Sequence, residues 1–408
     1  MAQNLKISPE LVDGDVDEGY GKVADAFRRN LDSGKEVGAA VAVYRDGRKV
    51  VDLWGGLGNP LTRARWENDT LVTVFSATKG VASLAVAVAA SRGLIDYDAK
   101  VADYWPEFAQ AGKGAVTVRQ LLGHQAGLVA IKPPLKFSDL ADPAKLSAKI
   151  AAQAPLWPPG TRHGYHAITL GWYSSELIRR VDPQGRTLGR YFAEEIAGPL
   201  DLDFYIGLPS HIGRDRVALL CTPTKVMAVR QALKMPPRQV IALVNPFGLA
   251  ARSIVLADGI KDADVNSDEL RAIEIPAGNG TGTARALAKL YGIAATGGTQ
   301  LGLTPDVCDA LKAPAVPPTK GLRDFAGQAD TSYSLGFNKP MSKWVFGSSG
   351  NAFGTPGAGG SLGFADPDTG VGFAYVMNRM GVHPFSDPRE LALRQALFRD
   401  VLGARTQV

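Results

Sequence analysis

Strand-forming patterns lie near both ends of this 408-residue chain, and helical patterns fill the region between them. Near the N-terminus, Val37 to Tyr44 and Arg48 to Trp54 predict two strands joined at Asp46-Gly47, a dipeptide typical of tight hairpins. Near the C-terminus, Val371 to Met377 predicts a further strand. Because strands and helices do not alternate one by one, we expect an α+β protein: an antiparallel sheet built from both termini, flanked by helices, with an inserted, mainly helical domain.

Two further strands are predicted at Tyr333 to Phe337 and at Gly357 to Ala365, the latter joined to Val371 by a turn at Asp366 to Gly370. The sheet domain is expected to comprise residues 1–75 and 280–408, and the helical domain residues 76–279, with the active site in the cleft between them. Helices are predicted at Asp17 to Asn30, Ser76 to Arg92, Thr117 to Leu122, Tyr173 to Val181, Arg186 to Ile196, Thr222 to Lys234, Thr283 to Tyr291 and Pro388 to Val401.

Composition excludes several classes of function. The net charge is +5, and the lysine and arginine residues are spread along the chain without a run of five or six like charges, so we expect no nucleic-acid partner. Two cysteines, Cys221 and Cys308, allow one disulfide at most, and the five histidines form no zinc-binding helix motif, so we expect neither a metal nor another cofactor. Residues 1–12 lack a signal-peptide pattern and no apolar run is long enough to span a bilayer, which predicts a cytoplasmic protein without a membrane partner.

The candidate nucleophile is Ser76, in Ser76-Ala77-Thr78-Lys79. If Ser76 opens a helix, Lys79 lies one turn later on the same face. A serine hydroxyl is a weak nucleophile that needs a neighbouring base, and a lysine can be that base when burial lowers its pKa. The residues that follow, Gly80 to Ala87, are apolar on almost every face and predict such burial. The alternative is a capping serine on a core helix with a surface lysine.

Two other segments contain candidate site residues. Trp157-Pro158-Pro159-Gly160 is a rigid loop that precedes Tyr165, whose hydroxyl can serve as a second acid or base. Thr355 to Gly360 is rich in glycine, which allows a strand edge to approach a ligand closely, and we expect Gly357 and Ala358 to bind substrate or an oxyanion there together with the backbone N–H of Ser76. The alternatives are a half-buried structural tyrosine and an ordinary turn.

Three competing motifs are interpreted as structural. Gly359-Gly360-Ser361-Leu362-Gly363 matches the nucleophile elbow of α/β-hydrolases, but that elbow requires a helix directly after the serine and a hairpin is predicted instead. His124 is expected to hold its loop by hydrogen bonding to the backbone. The loop Gly278 to Gly282 is no dinucleotide fingerprint, because no strand precedes it within a βαβ unit, although it can line the cleft.

Taken in order, these motifs resemble those of a known superfamily. Ser76-x-x-Lys79, Leu121 to Leu128 (similar to Leu-Leu-x-His-x-x-Gly-Leu), the Pro-Gly loop ahead of Tyr165 and the Gly-rich strand before Pro367 are similar to the class C β-lactamases, the penicillin-binding DD-peptidases and the family VIII carboxylesterases. The resemblance implies the serine β-lactamase fold and an acyl-enzyme on Ser76, with Lys79 and Tyr165 moving protons and the N–H groups of Ser76 and Ala358 stabilising the oxyanion.

Two departures from the lactamase pattern bear on the substrate. Tyr165-His166-Ala167 replaces Tyr-x-Asn, and Thr355-Pro356-Gly357 replaces Lys-Thr-Gly. The first removes an amide and the second a cation, both of which hold a β-lactam in the lactamases. We therefore predict a carboxylesterase that hydrolyses short- to medium-chain acyl esters of small molecules. A β-lactamase or D-amino-peptide hydrolase, an acyltransferase and a non-catalytic binding protein are the alternatives. The loops Pro133 to Leu146 and Pro236 to Asp264 are expected to shape the pocket.

Overall fold

The computed structural model describes residues 11–258, 260 and 265–404. Ten of the twelve residues on which the signal-peptide prediction depends, and part of the pocket loop that ends at Asp264, therefore lie outside the described residues. Among the described residues, no helix is both long and apolar enough to cross a membrane. Cys221 and Cys308 are both free thiols, so the one disulfide that the sequence allowed is not formed.

The main sheet is antiparallel and is built from both ends of the chain, as predicted. The strands are β1 Val12–Val16, β2 Gly38–Arg45, β3 Arg48–Asn59, β4 Ala64–Arg65, β5 Val72–Thr73, β6 Phe204–Tyr205, β7 Thr281–Gly282, β8 Phe353–Pro356, β9 Leu362–Asp366 and β10 Val371–Met377. The strand order of the main sheet is β1-β3-β2-β10-β9-β8, with β4 beside β3, and a second small sheet has the order β5-β7-β6. The α+β prediction is therefore confirmed, whereas the borders of the two predicted domains remain a prediction.

Helices cover both faces of the main sheet and fill the middle of the chain. Short 3₁₀ or π segments extend several of them, and one 3₁₀ turn, Phe75–Ala77, leads into the helix that begins at Thr78. The α-helices are α1 Gly21–Asp32, α2 Thr78–Ser91, α3 Val101–Tyr104, α4 Val118–Leu122, α5 Phe137–Leu140, α6 Pro143–Ala152, α7 Thr169–Val181, α8 Leu188–Phe192, α9 Lys225–Ala232, α10 Pro237–Val244, α11 Leu249–Ser253, α12 Asp268–Ala272, α13 Ala284–Ala295, α14 Pro305–Lys312 and α15 Pro388–Gln395.

The two faces of the sheet bury different cores. Side chains alternate along a strand, so Val41 and Val43 of β2 pack with α1 and α15, while Ala40 and Ala42 face the larger core that contains α2 and α13. Small residues let α13 lie close to the sheet: a Cβ on Gly372 of β10 would lie 2.1 Å from the backbone nitrogen of Gly292. The sheet is therefore held between two helical layers, and α2 lies within the larger core.

Two strand predictions were wrong in whole or in part. Residues 333–337 form a tight loop, because Gly336 adopts φ +84° and donates its N–H to the carbonyl of Leu122. Gly357 to Ala365 is not one strand: β8 ends at Pro356, a turn follows, and β9 begins at Leu362. Gly359 and Gly360 have φ of +87° and +117° in that turn, a conformation outside any strand. The glycines that were predicted to lie within a strand thus form the turn between β8 and β9.

Candidate active site

Ser76 lies in the 3₁₀ turn that runs into α2, two residues before Thr78, the first residue of that α-helix. The side chain of Thr78 fixes this turn: its hydroxyl donates to the carbonyl of Phe75 (2.5 Å) and accepts from the N–H of Gly280 (2.9 Å). Phe75 has φ +50°, a left-handed conformation that costs free energy for an aromatic residue. The surrounding structure therefore holds Ser76 in a strained and well-defined turn.

Lys79 is 2% exposed, and its side-chain nitrogen Nζ lies 3.0 Å from the Ser76 Oγ. The same nitrogen donates to the carbonyls of Ala167 (2.6 Å) and Ala277 (2.8 Å). Burial lowers the pKa of Lys79 well below its ordinary value. When the amine is neutral, its two N–H groups can serve the two carbonyls, which only accept, and its lone pair is left for the Ser76 hydroxyl. In that protonation state Lys79 can act as a general base.

Tyr165 completes the predicted group of three. Its ring lies 4.8 Å from the Lys79 nitrogen, and its hydroxyl faces the side chain of Ser76. Burial raises the pKa of Tyr165 to about 12, so the phenol is protonated near neutral pH. A protonated phenol beside such an amine can pass a proton to a leaving group and regain one from the amine after the amine has taken the Ser76 proton. The structure thus brings Ser76, Lys79 and Tyr165 together.

Histidines hold the loop that positions Tyr165. His124 accepts from the backbone N–H of His166 through Nδ1 (3.0 Å), and His166 accepts from the N–H of Leu128 through Nε2 (3.0 Å). The carbonyl of His124 also accepts from the N–H of Gly164 (2.9 Å). Burial lowers the pKa of His124, and lowers that of His166 to about 3, so both rings are neutral. His124 pins its loop to the backbone, as the sequence predicted.

Asp324 and Tyr333 also border the site, although no sequence motif indicates a role for either residue there. The buried Asp324 carboxylate accepts from the Tyr333 hydroxyl (3.2 Å) and from the N–H of Ala326 (2.9 Å), and it faces the backbone N–H of Tyr165. The Tyr333 ring lies nearly parallel to that of Tyr165, with centroids 6.3 Å apart. Asp324 lies in a loop far along the chain from Tyr165, and no local sequence pattern connects the two.

The turn between β8 and β9 lies directly beside the Ser76 turn. Ser361 donates its hydroxyl to the carbonyl of Val74 (2.8 Å), and a Cβ on Gly357 would lie 2.1 Å from that same carbonyl oxygen. The Gly357 N–H donates to the carbonyl of Ser361, so Gly357 is suited to close approach and not to holding an oxyanion. In the part of the chain that is described, the N–H groups of Ser76 and Ala358 make no hydrogen bond. These two groups remain the candidate oxyanion donors.

Ser361 is the buried end of a turn and not a nucleophile elbow, because strand β9 follows it where the elbow requires a helix. The loop Gly278 to Gly282 follows directly on Ala277, whose carbonyl binds Lys79, so this loop does border the site.

Comparison with known proteins identifies the family. Residues 23–398 match the beta-lactamase family. The chain is 36% identical over 371 residues to Esterase/beta-lactamase LipL of Mycobacterium tuberculosis, covering 90% of this chain and 83% of that protein. A crystal structure of a family VIII carboxylesterase is 37% identical, with a TM-score of 0.82 and coverage of 95% of this chain and 99% of that one.

A penicillin-binding protein homolog from Caulobacter crescentus is 38% identical, with a TM-score of 0.81 and coverage of 94% of this chain and 98% of that one. Both solved structures share nearly the full length of the chain, so the similarity includes the sheet and the helical middle alike. The chain therefore belongs to the beta-lactamase family and is a serine hydrolase of the esterase/beta-lactamase type.

Proposed function

We propose that the protein is a carboxylesterase that hydrolyses short- to medium-chain acyl esters through a covalent acyl-enzyme on Ser76. The observation that carries the proposal is the 3.0 Å contact between the Lys79 nitrogen and the Ser76 Oγ, made by an amine whose two other partners are carbonyls. A neutral amine at that distance can take the proton of the serine hydroxyl and so activate it as a nucleophile.

Acylation begins when the Lys79 lone pair takes the Ser76 hydroxyl proton as Oγ attacks the ester carbonyl. The carbonyl π electrons move to oxygen, and the resulting oxyanion accepts hydrogen bonds from the N–H groups of Ser76 and Ala358. When the C–O bond to the alcohol breaks, the alkoxide takes a proton from the Tyr165 hydroxyl, which regains one from Lys79. The alcohol leaves, and the acyl group remains on Ser76.

Deacylation repeats these steps with water as the nucleophile. Lys79, neutral again, takes a proton from water as its oxygen attacks the acyl carbon, and the oxyanion returns to the same two N–H groups. The bond to Ser76 then breaks, Oγ is reprotonated through Tyr165 and Lys79, and the acid leaves. Each residue returns to its starting protonation state, as a catalytic cycle requires.

The residues at the two departures from the lactamase pattern favour a neutral ester. Ala167 contributes only its carbonyl to Lys79, so it offers no side-chain amide to a β-lactam. The Thr355 hydroxyl donates to the carbonyl of Ala77 (3.1 Å) and lies 3.1 Å from the Tyr291 hydroxyl, so it is engaged within the fold and supplies no cation. An acyl ester needs neither group.

A β-lactamase activity on the same Ser76 is the second candidate, because the curated relative's name, Esterase/beta-lactamase, gives both activities to that protein. We expect it to be the weaker activity here, since a β-lactam carboxylate would lack a cationic partner at Thr355. Turnover of a chromogenic cephalosporin at a rate comparable to that of an ester would reverse this order.

The decisive test compares hydrolysis of p-nitrophenyl butyrate by wild type, Ser76→Ala and the matched serine variant Ser361→Ala. We expect loss of at least about a thousandfold in Ser76→Ala, in line with removal of a covalent nucleophile, and retained hydrolysis in Ser361→Ala. Activity that survives in Ser76→Ala would contradict the mechanism. Addition of an alcohol, with analysis of the products, separates hydrolysis from acyl transfer.

A further inference from the structure

Large apolar side chains project into solvent from residues 222–257 (the cap segment). The segment contains α9, α10 and α11, and none of residues 222–252 is buried. Of the fifteen exposed large hydrophobic residues among the described part of the chain, nine lie in this segment, with Leu233 82% and Phe247 87% exposed. The remaining seven are Val226, Val229, Ile241, Leu243, Val244, Ile254 and Val255. An apolar concentration of this kind marks an interaction surface.

The cap segment is also strongly basic. It has no Asp or Glu, so its formal charge of +5 equals that of the entire chain. Its five basic residues are Lys225, Arg230, Lys234, Arg238 and Arg252. Exposed apolar side chains interspersed with cations, and without acidic residues, are the pattern of helices that lie on anionic lipid surfaces.

The backbone places the cap segment beside the candidate active site. At one end, Cys221 exchanges hydrogen bonds with the chain that follows β10, donating to the Asn378 carbonyl (2.7 Å) and accepting from the Met380 N–H (2.9 Å). The next residue of that chain, Gly381, donates to the carbonyl of Gly359 (2.7 Å), which follows the oxyanion donor Ala358 directly.

On the opposite side, the cap segment contacts the region that positions Tyr165. Leu249 of α11 packs on Val129, Ala130 and Trp157, and Trp157 belongs to the Pro-Gly loop ahead of Tyr165. Directly after the segment, Asp258 donates its N–H to the carbonyl of Leu135 (2.8 Å). The two ends of the segment are therefore anchored to the regions that carry the oxyanion turn and the Tyr165 loop.

We propose that the cap segment docks the protein on an anionic lipid surface, with its apolar side chains inserted between headgroups and its five cations against the phosphates. A second copy of this chain is a poorer occupant, because a two-fold interface would bring the same segment of each copy together and oppose +5 to +5. Delivery of lipid-dissolved esters to Ser76 rests on the proposed esterase function, whereas the docking itself does not. The sequence alone predicted no membrane partner, and docking on lipid would replace that expectation.

The test measures co-sedimentation of the full chain with vesicles of phosphatidylcholine alone and of phosphatidylcholine mixed with phosphatidylglycerol. Ser76→Ala protein is used throughout, so that binding is measured without turnover and stands apart from the esterase test. Leu233→Ser/Phe247→Ser removes apolar anchors, and Lys234→Glu/Arg238→Glu reverses charge. The matched controls are Leu61→Ser, at a leucine 78% exposed outside the segment, and Arg48→Glu, at an exposed arginine on β3.

We expect binding to the anionic vesicles only, weakened by raising the salt concentration from about 0.05 to about 0.5 M. Each double variant should lose at least about tenfold in partitioning, while the controls keep it. Absence of binding, equal binding to both vesicle types, or equal loss in the controls would overturn the proposal. So would sedimentation velocity showing a dimer that the double variants dissociate, since the surface would then be covered by a second copy. Because the varied side chains are exposed, an unchanged melting temperature verifies folding in each case.

Discussion

Replacement of Lys79 by methionine tests whether this lysine is a neutral base in the folded protein. Methionine keeps most of the buried aliphatic volume but removes the amine. The substitution leaves the Ala167 and Ala277 carbonyls without the donor that they have in the wild type. It also removes the amine nitrogen that lies 3.0 Å from the Ser76 Oγ. The variant therefore separates two effects, on stability and on the reactivity of Ser76.

The effect on stability depends on pH with a sign set by the lowered pKa. In the unfolded chain Lys79 is protonated up to its ordinary pKa near 10.4. In the folded protein burial lowers this pKa well below its ordinary value, and the proposed mechanism requires a neutral amine there. The unfolded state then binds one more proton, so the free energy of unfolding of the wild type rises with pH in this window. The slope is about 1.4 kcal/mol per pH unit, and Lys79→Met lacks it. Between pH 8 and 9.5 the difference between the two proteins should change by about 2 kcal/mol in favour of the wild type.

Reactivity is measured as the rate at which a fluorophosphonate labels Ser76. We expect Lys79→Met to label about 10² to 10⁴ times more slowly, the usual contribution of a general base. Lys113→Met is the matched control, because Lys113 is also buried and donates to the carbonyls of Gln110, Ala151 and Gln153, away from Ser76. That variant should be destabilised while Ser76 labels at the wild-type rate.

Two results would refute this reasoning. A wild-type labelling rate that climbs about tenfold for each pH unit from 7.5 to 9.5 would mean that Lys79 is protonated in the folded protein. A difference in unfolding free energy between wild type and Lys79→Met that stays constant from pH 8 to 9.5 would mean the same. In either case Tyr165 would have to act as the base, although burial raises its pKa to about 12.

Three further predictions follow from individual contacts. Tyr165→Phe should lower kcat for p-nitrophenyl butyrate by a factor of about 10² to 10⁴ while the far-UV circular dichroism stays unchanged. A kcat equal to that of the wild type would mean that the Tyr165 hydroxyl takes no part in proton transfer. Gly357→Ala places a Cβ 2.1 Å from the Val74 carbonyl oxygen, so it should lower the free energy of unfolding in urea by about 1–3 kcal/mol and slow acylation of Ser76. A variant that is acylated at the wild-type rate would contradict the close approach. Arg389→Met removes a buried partner of Glu36 and should destabilise the protein by about 3–5 kcal/mol, and a melting temperature within 1–2 °C (roughly 0.5 kcal/mol) of wild type would disprove it.

Local chemistry was enough to predict the elements whose pattern is complete within a few residues. The hairpin at Asp46-Gly47 forms because both residues adopt positive φ, 50° and 79°, as its residue types favour. Strand β10 coincides with Val371–Met377, and Thr117 caps α4 through the N–H of Gln120. The 3.0 Å contact between Ser76 and Lys79 also follows from spacing, since residues three apart share one side of a helical turn.

Contacts between distant parts of the chain were decided by tertiary structure alone. The two carbonyls that orient the Lys79 amine lie 88 and 198 residues along the chain, and no periodicity in the sequence indicates either of them. Residues 333–337 have the apolar composition of a strand, but the chain turns at Gly336, whose N–H donates to the carbonyl of the distant Leu122. The position of Asp324 beside Tyr165 is of the same kind. The sequence thus determined which residues could react, because that depends on side-chain type and local spacing, and packing between distant segments decided the hydrogen bonds that surround them.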